Sequence, residues 1–160
     1  MNIERNGHAL VNTNDKFVFS IGGYNKQDCY LNSIEKYDPD TDKWTIINQK
    51  LNIARMYHQA VAYKHCIYVF GGSTRNFKVL DSIEKINIIT RTTTLLGTKL
   101  KVAREHFGLA NIDNNVYILG GITSDSSATD TVEIFNMKDE TITDGIKIPF
   151  ADYGFSACVL

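Results

Sequence analysis

Three Gly-Gly pairs, Gly22-Gly23, Gly71-Gly72 and Gly120-Gly121, stand 49 residues apart both times, and they take up six of the chain's eleven glycines. A fixed period of this size marks a repeat architecture, in which one unit cannot bury its apolar face alone and must stack on its neighbours. Sliding the chain by one period aligns Ser33, Ser82 and Thr131, then Ile34, Ile83 and Val132, then Glu35, Glu84 and Glu133. Thr45, Thr94 and Thr143 coincide as well. Arg55 and Arg104 keep the same step, and Arg5 joins them after one inserted residue near Asp15.

Inside each unit the patterning is that of short strands. The runs at 17–21, 66–70 and 116–119 before each glycine pair are β-branched and aromatic, and too short for helices. A second strand precedes each of them, at 8–13, 58–63 and 106–112, across a turn rich in Asn, Asp, Lys and His. Beyond the glycines come a polar loop, an alternating strand at 33–38, 82–87 and 131–136, and a last strand at 43–47, 92–96 and 140–144. Four antiparallel strands per period describe one blade of a propeller. The reading is all-β, a partial β-propeller forming one domain. Its blades cover about residues 5–50, 55–99 and 104–148, and the first strand of a fourth lies at about 151–160.

Charge and composition exclude other classes. With 17 basic and 18 acidic side chains among 160 residues, the chain lacks the basic excess of a nucleic-acid-binding surface. Its longest apolar run, 66–70, is far short of the roughly 20 residues of a membrane helix. The first residues contain no apolar stretch of the signal-peptide kind. Cys29, Cys66 and Cys158 are odd in number and never spaced as Cys-x-x-Cys, the pattern of reduced thiols in a cytoplasmic protein.

Several residues invite chemistry. Arg55 and Arg104 follow Glu35 and Glu84 by 20 residues, and serve either as anion contacts or as structural ion pairs. Their recurrence favours the structural role, because a single active site has no use for copies in every unit. The glycine pairs lie between strands rather than at a helix start, which fits a steep backbone bend and not a phosphate loop. His8, His58, His65 and His106 show no metal-ligand spacing, and no Gly-x-Ser-x-Gly elbow occurs. No cofactor, metal site or catalytic residue is expected.

The stretch Asn32-Ser-Ile-Glu-Lys-Tyr-Asp-Pro-Asp-Thr-Asp-Lys-Trp44, followed by Leu51-Asn-Ile-Ala-Arg55, resembles the blade seam of kelch repeats of the BTB–kelch type. Arg104-Glu-His-Phe-Gly-Leu-Ala110 resembles the same passage into the next blade. Trp44 has no counterpart at Thr93 or Ile142, and Asp152 stands where an arginine would, so looser packing is expected in the later blades. Kelch propellers usually have six or seven blades. Three blades are expected of a fragment of a longer protein, of a chain that closes a six-bladed ring with a second copy, or of a decayed reading frame, and the abundance of Asn, Ile and Lys resembles the truncated kelch reading frames of poxviruses.

The resemblance implies a non-catalytic module that recognises a partner protein, as the substrate-recognition domains of cullin-3 ubiquitin ligase adaptors do. No BTB domain is recognisable, so direct cullin-3 recruitment is not expected of this chain. The family also contains sialic-acid mutarotases and actin-binding proteins, which are the alternatives. Partner-binding positions carried over from the family are Tyr24, Asn25, Arg75, Asn76, Ser124 and Asp125 on the divergent loops. Tyr57 and His106, two residues past their arginines, complete the set. No nucleic-acid or membrane partner is expected, and self-association would complete the ring.

Overall fold

A computed structural model describes residues 1–13, 15–155 and 157, and every regular element among them is a β-strand. Three four-stranded antiparallel sheets follow one another along the chain. The first comprises Ala9–Asn12, Val18–Ile21, Ser33–Asp38 and Lys43–Lys50. The second comprises Gln59–Tyr63, Cys66–Phe70, Ser82–Asn87 and Thr92–Lys99. The third comprises Gly108–Ile112, Asn115–Leu119, Val132–Asn136 and Thr141–Asp144. Strands pair in chain order within each sheet, and the innermost strands of successive sheets lie side by side, which is the radial layout of propeller blades.

The outer strands of the first two blades run three residues further than the expected ends at Ile47 and Leu96. A register shift between Ser33 and Glu35, and again between Ser82 and Glu84, absorbs the extra length. Beyond it Lys50 still opposes Ser33 and Lys99 still opposes Ser82. The turn before each outer strand is closed by a left-handed residue at one repeat position: Asp42, Arg91 and Glu140, with φ of 52°, 58° and 55°. The expected opening strand of a fourth blade is not formed over 151–155, and most of its remainder, including Cys158, lies outside the described residues.

Strand alternation sends neighbouring side chains to opposite faces, so the middle blade feeds both cores. Ile67, Val69 and Ile86 pack on Val11, Phe19, Ile21 and Ile34 of the first blade. Tyr68, Phe70 and Ile83 face Val116, Ile118 and Phe135 of the third. The Phe135 ring lies 5.3 Å from Phe70 and 5.5 Å from Tyr68. The Tyr68 hydroxyl donates to the Met137 carbonyl at 3.3 Å and to Glu140 Oε1 at 3.1 Å. The later blades are therefore well packed, contrary to the expectation drawn from the missing tryptophans. Trp44 explains the difference: it stacks on Tyr37 of its own sheet at 5.2 Å and belongs to neither inter-blade core.

Each glycine pair couples its blade to the next. The first glycine lies under a ring from the following blade: an added Cβ would come within 2.8 Å of His58 at Gly22 and 2.9 Å of Phe107 at Gly71. At Gly120 the Phe155 ring takes this place, 3.2 Å from an added Cβ. The second glycine abuts the corresponding side chain of its own blade, His8 at Gly23, His58 at Gly72 and Phe107 at Gly121. All six have φ between 55° and 100°, which glycine alone adopts without cost. The N–H of Gly23 donates to the Arg55 carbonyl and that of Gly72 to the Arg104 carbonyl, at 2.8 and 2.9 Å. Gly121 donates likewise to the Asp152 carbonyl at 2.9 Å, so the backbone link survives where the arginine is replaced.

His58 occupies the slot that Phe107 and Phe155 fill in the other blades, and among the described residues neither of its ring nitrogens makes a hydrogen bond of good geometry. Burial lowers its pKa to about 3, the Arg55 charge acting in the same direction. The unfolded chain takes up this proton near pH 6.5 and the folded one does not. The stability contribution is whole above that pH and declines by about 1.4 kcal/mol per pH unit as pH falls towards 3. His58→Phe should flatten this decline, raising the urea midpoint more at pH 5 than at pH 8; an equal change at both would refute the assignment.

Candidate functional site

The repeated arginines are the first residues to place. Arg55 donates from Nη1 to the carbonyls of Gly71 at 2.7 Å and Ser82 at 3.3 Å. Its Nη2 reaches Ser82 Oγ at 3.0 Å and Glu84 Oε1 at 2.7 Å. Arg104 repeats the set on Gly120, Thr131 and Glu133, and Arg5 on Gly22, Ser33 and Glu35. Each arginine thus pairs with the glutamate 29 or 30 residues downstream in its own blade, not with the one 20 residues upstream. Both side chains of the Arg55–Glu84 pair are fully buried. They face no solvent and present nothing to an anion.

The same glutamates also seize the segment that leads into the blade. Glu84 accepts the N–H of Asn52 at 2.6 Å and of Ile53 at 3.1 Å. Glu35 does so for Asn2 and Ile3, and Glu133 for Lys101 and Val102, at the same distances. Burial works against the charge on Glu35, yet the N–H groups of Asn2 and Ile3 and the Arg5 guanidinium outweigh it and hold the carboxyl below its ordinary pKa. Truncating one member of such a pair strands the other in the core. Glu84→Ala should cost about 3–5 kcal/mol in a denaturant titration, and a loss below about 1 kcal/mol, the level of a surface pair, would contradict this role.

The expected partner-binding residues all belong to the hairpins after the glycine pairs or to the segments that cross into each blade. These two sets are joined by backbone pairs: Asn6 with Tyr24, Met56 with Ser73, and Glu105 with Ile122. A second ladder links blades directly. Tyr57 N–H donates to the Gly7 carbonyl at 2.7 Å, His106 to Tyr57 at 3.1 Å and Gly154 to His106 at 2.7 Å. All four residues are left-handed, with φ of 58°, 56°, 54° and 72°. The ladder lays the Tyr57 ring against Gly7 and brings the His106 ring to 3.7 Å from Tyr57, tilted by 30°.

Tyr24 packs edge-on against Tyr30, with ring centroids 5.7 Å apart. The Asn6–Tyr24 pair and the neighbouring Gly7–Tyr57 bond set Tyr24 and Tyr30 beside the Tyr57–His106 stack as one rim, and burial raises the Tyr30 pKa, with Glu105, Tyr57 and Tyr24 adding to the rise. Tyr30 and Glu105 were not among the expected site residues. The sequence signals that could have marked them are plain only in hindsight: a tyrosine closing the first hairpin, and an acid between Arg104 and His106.

The remaining expected residues divide by role. Asn25 folds its own turn, its Oδ1 accepting the Asp28 N–H at 2.6 Å. Asp125 does likewise, accepting from the Ser127 hydroxyl at 2.6 Å, from the Ser127 N–H at 3.1 Å and from the Thr123 hydroxyl. These bonds hold its carboxyl at about 2. Arg75, Asn76 and Ser124 sit exposed on hairpin tips and do not join the Tyr57–His106 rim. Next to Asn76, Phe77 is 87% exposed, and both have positive φ.

A groove of about 370 Å3 separates the first two hairpins, with Asp28, Cys29 and Tyr30 on one side and Thr74 and Arg75 on the other. At the other end of the blades a cavity of about 500 Å3 is lined by Phe17, Phe19, Lys36, Ile88, Ile89 and Arg91. Cys29 and Cys66 are free thiols. Among the described residues no three His, Cys, Asp or Glu side chains gather as metal ligands, and no helix is long and apolar enough to cross a membrane.

Comparison with known proteins bears on this architecture. The sequence pattern of the KLHDC2/KLHL20/DRC7 Kelch-repeats domain matches residues 7–160. Among curated proteins no match is found. Among solved structures, that titled "Structure of YjhT" superposes with a TM-score of 0.82 at 13% sequence identity, over 93% of this chain. The chain spans about half of that protein, 54% of its length. At such low identity the likeness concerns the fold, a kelch-type β-propeller of which three blades are seen here. The match over residues 7–160 adds the family: the chain belongs to the kelch-repeat proteins of the KLHDC2/KLHL20/DRC7 type.

Proposed function

We propose that the chain is a non-catalytic module that recognises a partner protein through the face carrying its post-glycine hairpins. The observation that carries this reading is the division of labour among its residues. Arginines, glutamates and glycines that repeat in every blade are buried and occupied with one another. Residues that do not repeat, among them Tyr24, Tyr30, Arg75 and His106, gather on one face of a rigid support, which is where recognition loops belong. The enzyme alternative loses its best candidate in Arg104, whose guanidinium is fully buried and bonded to its own blade.

By analogy with ubiquitin ligase adaptors, the face would hold a substrate while a separate domain binds cullin-3. The full chain and two variants, used as bait in quantitative affinity capture, test this. Tyr24→Ala/Arg75→Ala should lower recovery of a stoichiometric partner at least tenfold, while Lys36→Ala/Ile89→Ala at the other end should leave it unchanged. Equal recovery with both variants, stoichiometric binding of purified cullin-3, or anomer interconversion of sialic acid by the purified chain would each overturn the reading.

A second copy would complete the ring. Tyr117 and Leu119 hold the places on the outward face of the third blade that Tyr68 and Phe70 hold in the buried middle one. Light scattering on a sizing column should give twice 18.0 kDa; a sharp peak at the single mass would rule this association out.

A further inference from the structure

We infer that the rim formed by Tyr24, Tyr30, Tyr57, Glu105 and His106 is a binding site for an arginine side chain of the partner. The inference rests on the proposed function and names the chemistry of its recognition. The Glu105 side chain is 18% exposed, and among the described residues the basic side-chain atom nearest to it is His106 Nδ1, 3.9 Å away and beyond hydrogen-bond reach. That Nδ1 is itself buried without a partner. Among the described residues no donor bonds this mostly buried carboxylate, so an arriving cation would find its oxygens free to accept.

Such a cation would meet aromatic surface on arrival. Tyr30 packs edge-on against Tyr24, which pairs with Asn6; the Gly7 carbonyl next to Asn6 accepts the Tyr57 N–H, so both tyrosines adjoin the Tyr57–His106 stack, and the Glu105 charge helps raise the Tyr30 pKa. The rings are held in place: Tyr57 and His106 by the inter-blade ladder, Tyr24 by its pairing with Asn6 and its edge contact with Tyr30. A guanidinium is planar, remains charged at every physiological pH, pairs with a carboxylate through two N–H groups and stacks on aromatic rings. Lysine offers a point charge without the plane. The groove beside Tyr30 carries the acid Asp28 on the same wall, while the cation Arg75 belongs to the opposite hairpin, so the side of the groove nearer the rim favours a positive ligand.

Tyr57 and His106 share one repeat position and serve the inter-blade ladder, but Tyr30 and Glu105 have no counterpart along the chain. One period from Tyr30 stands Val79, and one period before Glu105 stands Met56. Tyr30 and Glu105 are therefore no part of the blade-building pattern that explains Arg55, Glu84 and the glycines.

The test uses the full chain and N-acetyl-arginine methylamide as probe, followed by NMR at millimolar concentration. N-acetyl-citrulline methylamide, of the same shape without the charge, and N-acetyl-lysine methylamide are the comparators. Arginine should shift the ring signals of Tyr30, Tyr57 and His106, with citrulline at least fivefold weaker and lysine weaker than arginine. Glu105→Gln should weaken arginine binding at least fivefold while the melting temperature stays within two degrees or so, and Tyr30→Leu should weaken it with Glu105 in place. Shifts equal for arginine and citrulline, shifts confined to other residues, or binding indifferent to both variants would overturn the inference. If the arginine probe fails while partner capture still depends on Tyr24 and Arg75, the chemistry named here falls and the docking face stands.

Discussion

A buried carboxylate organises each blade. Glu35, Glu84 and Glu133 each take two backbone N–H groups from the segment that leads into the blade and one guanidinium N–H from the arginine that closes it. Four polar partners thus share a site from which water is excluded, and an ion there is tolerable only because every part of the set is present. The arginine in turn spends its other donors on the first glycine's carbonyl and on Ser33, Ser82 or Thr131. Strand pairing makes the sheets, but this cluster decides where one sheet ends and the next begins.

Inter-blade geometry follows from two further devices that work at the backbone. One is the glycine pair, whose two missing Cβ atoms admit rings from its own blade and the next. The other is the ladder from Gly7 through Tyr57 and His106 to Gly154. Both depend on left-handed residues, and both tolerate change in the side chains around them. Asp152 keeps the carbonyl link of a lost arginine, and His58 stands in for phenylalanine at the cost of two idle nitrogens. Trp44 lies outside the fill between blades, which is why losing a tryptophan from the later units leaves their packing sound.

The architecture was legible because its signals recur. Gly22-Gly23 and its two copies, with Glu35, Glu84 and Glu133 in step, identify the blade before any contact is known. The partner of each arginine was less legible for a reason specific to periodic chains. Arg55 has a glutamate 20 residues before it and another 29 after it, and the two separations together make one period. Spacing alone treats them alike, and only the fold shows which is in the same blade. The candidate face was harder still. Tyr30 and Glu105 stand 75 positions apart in sequence and have no periodic copies, so no alignment of the chain with itself points to their sharing a rim. Asn25 and Asp125, expected at the docking face, also build the tips they stand on.

The coupling through glycine pairs carries a consequence for how such chains change over generations. Because the first glycine of a blade accommodates a ring that belongs to the next, the two halves of every joint are encoded one repeat apart. A duplication that copies one whole period therefore arrives with a matching half-joint at each end. A duplication out of phase would set a ring against a Cβ and break the stack. Growth and loss of blades are in this sense quantised in steps of a single repeat, while the hairpins between the joints are free to diverge in length and composition, and with them the chemistry of the face they form.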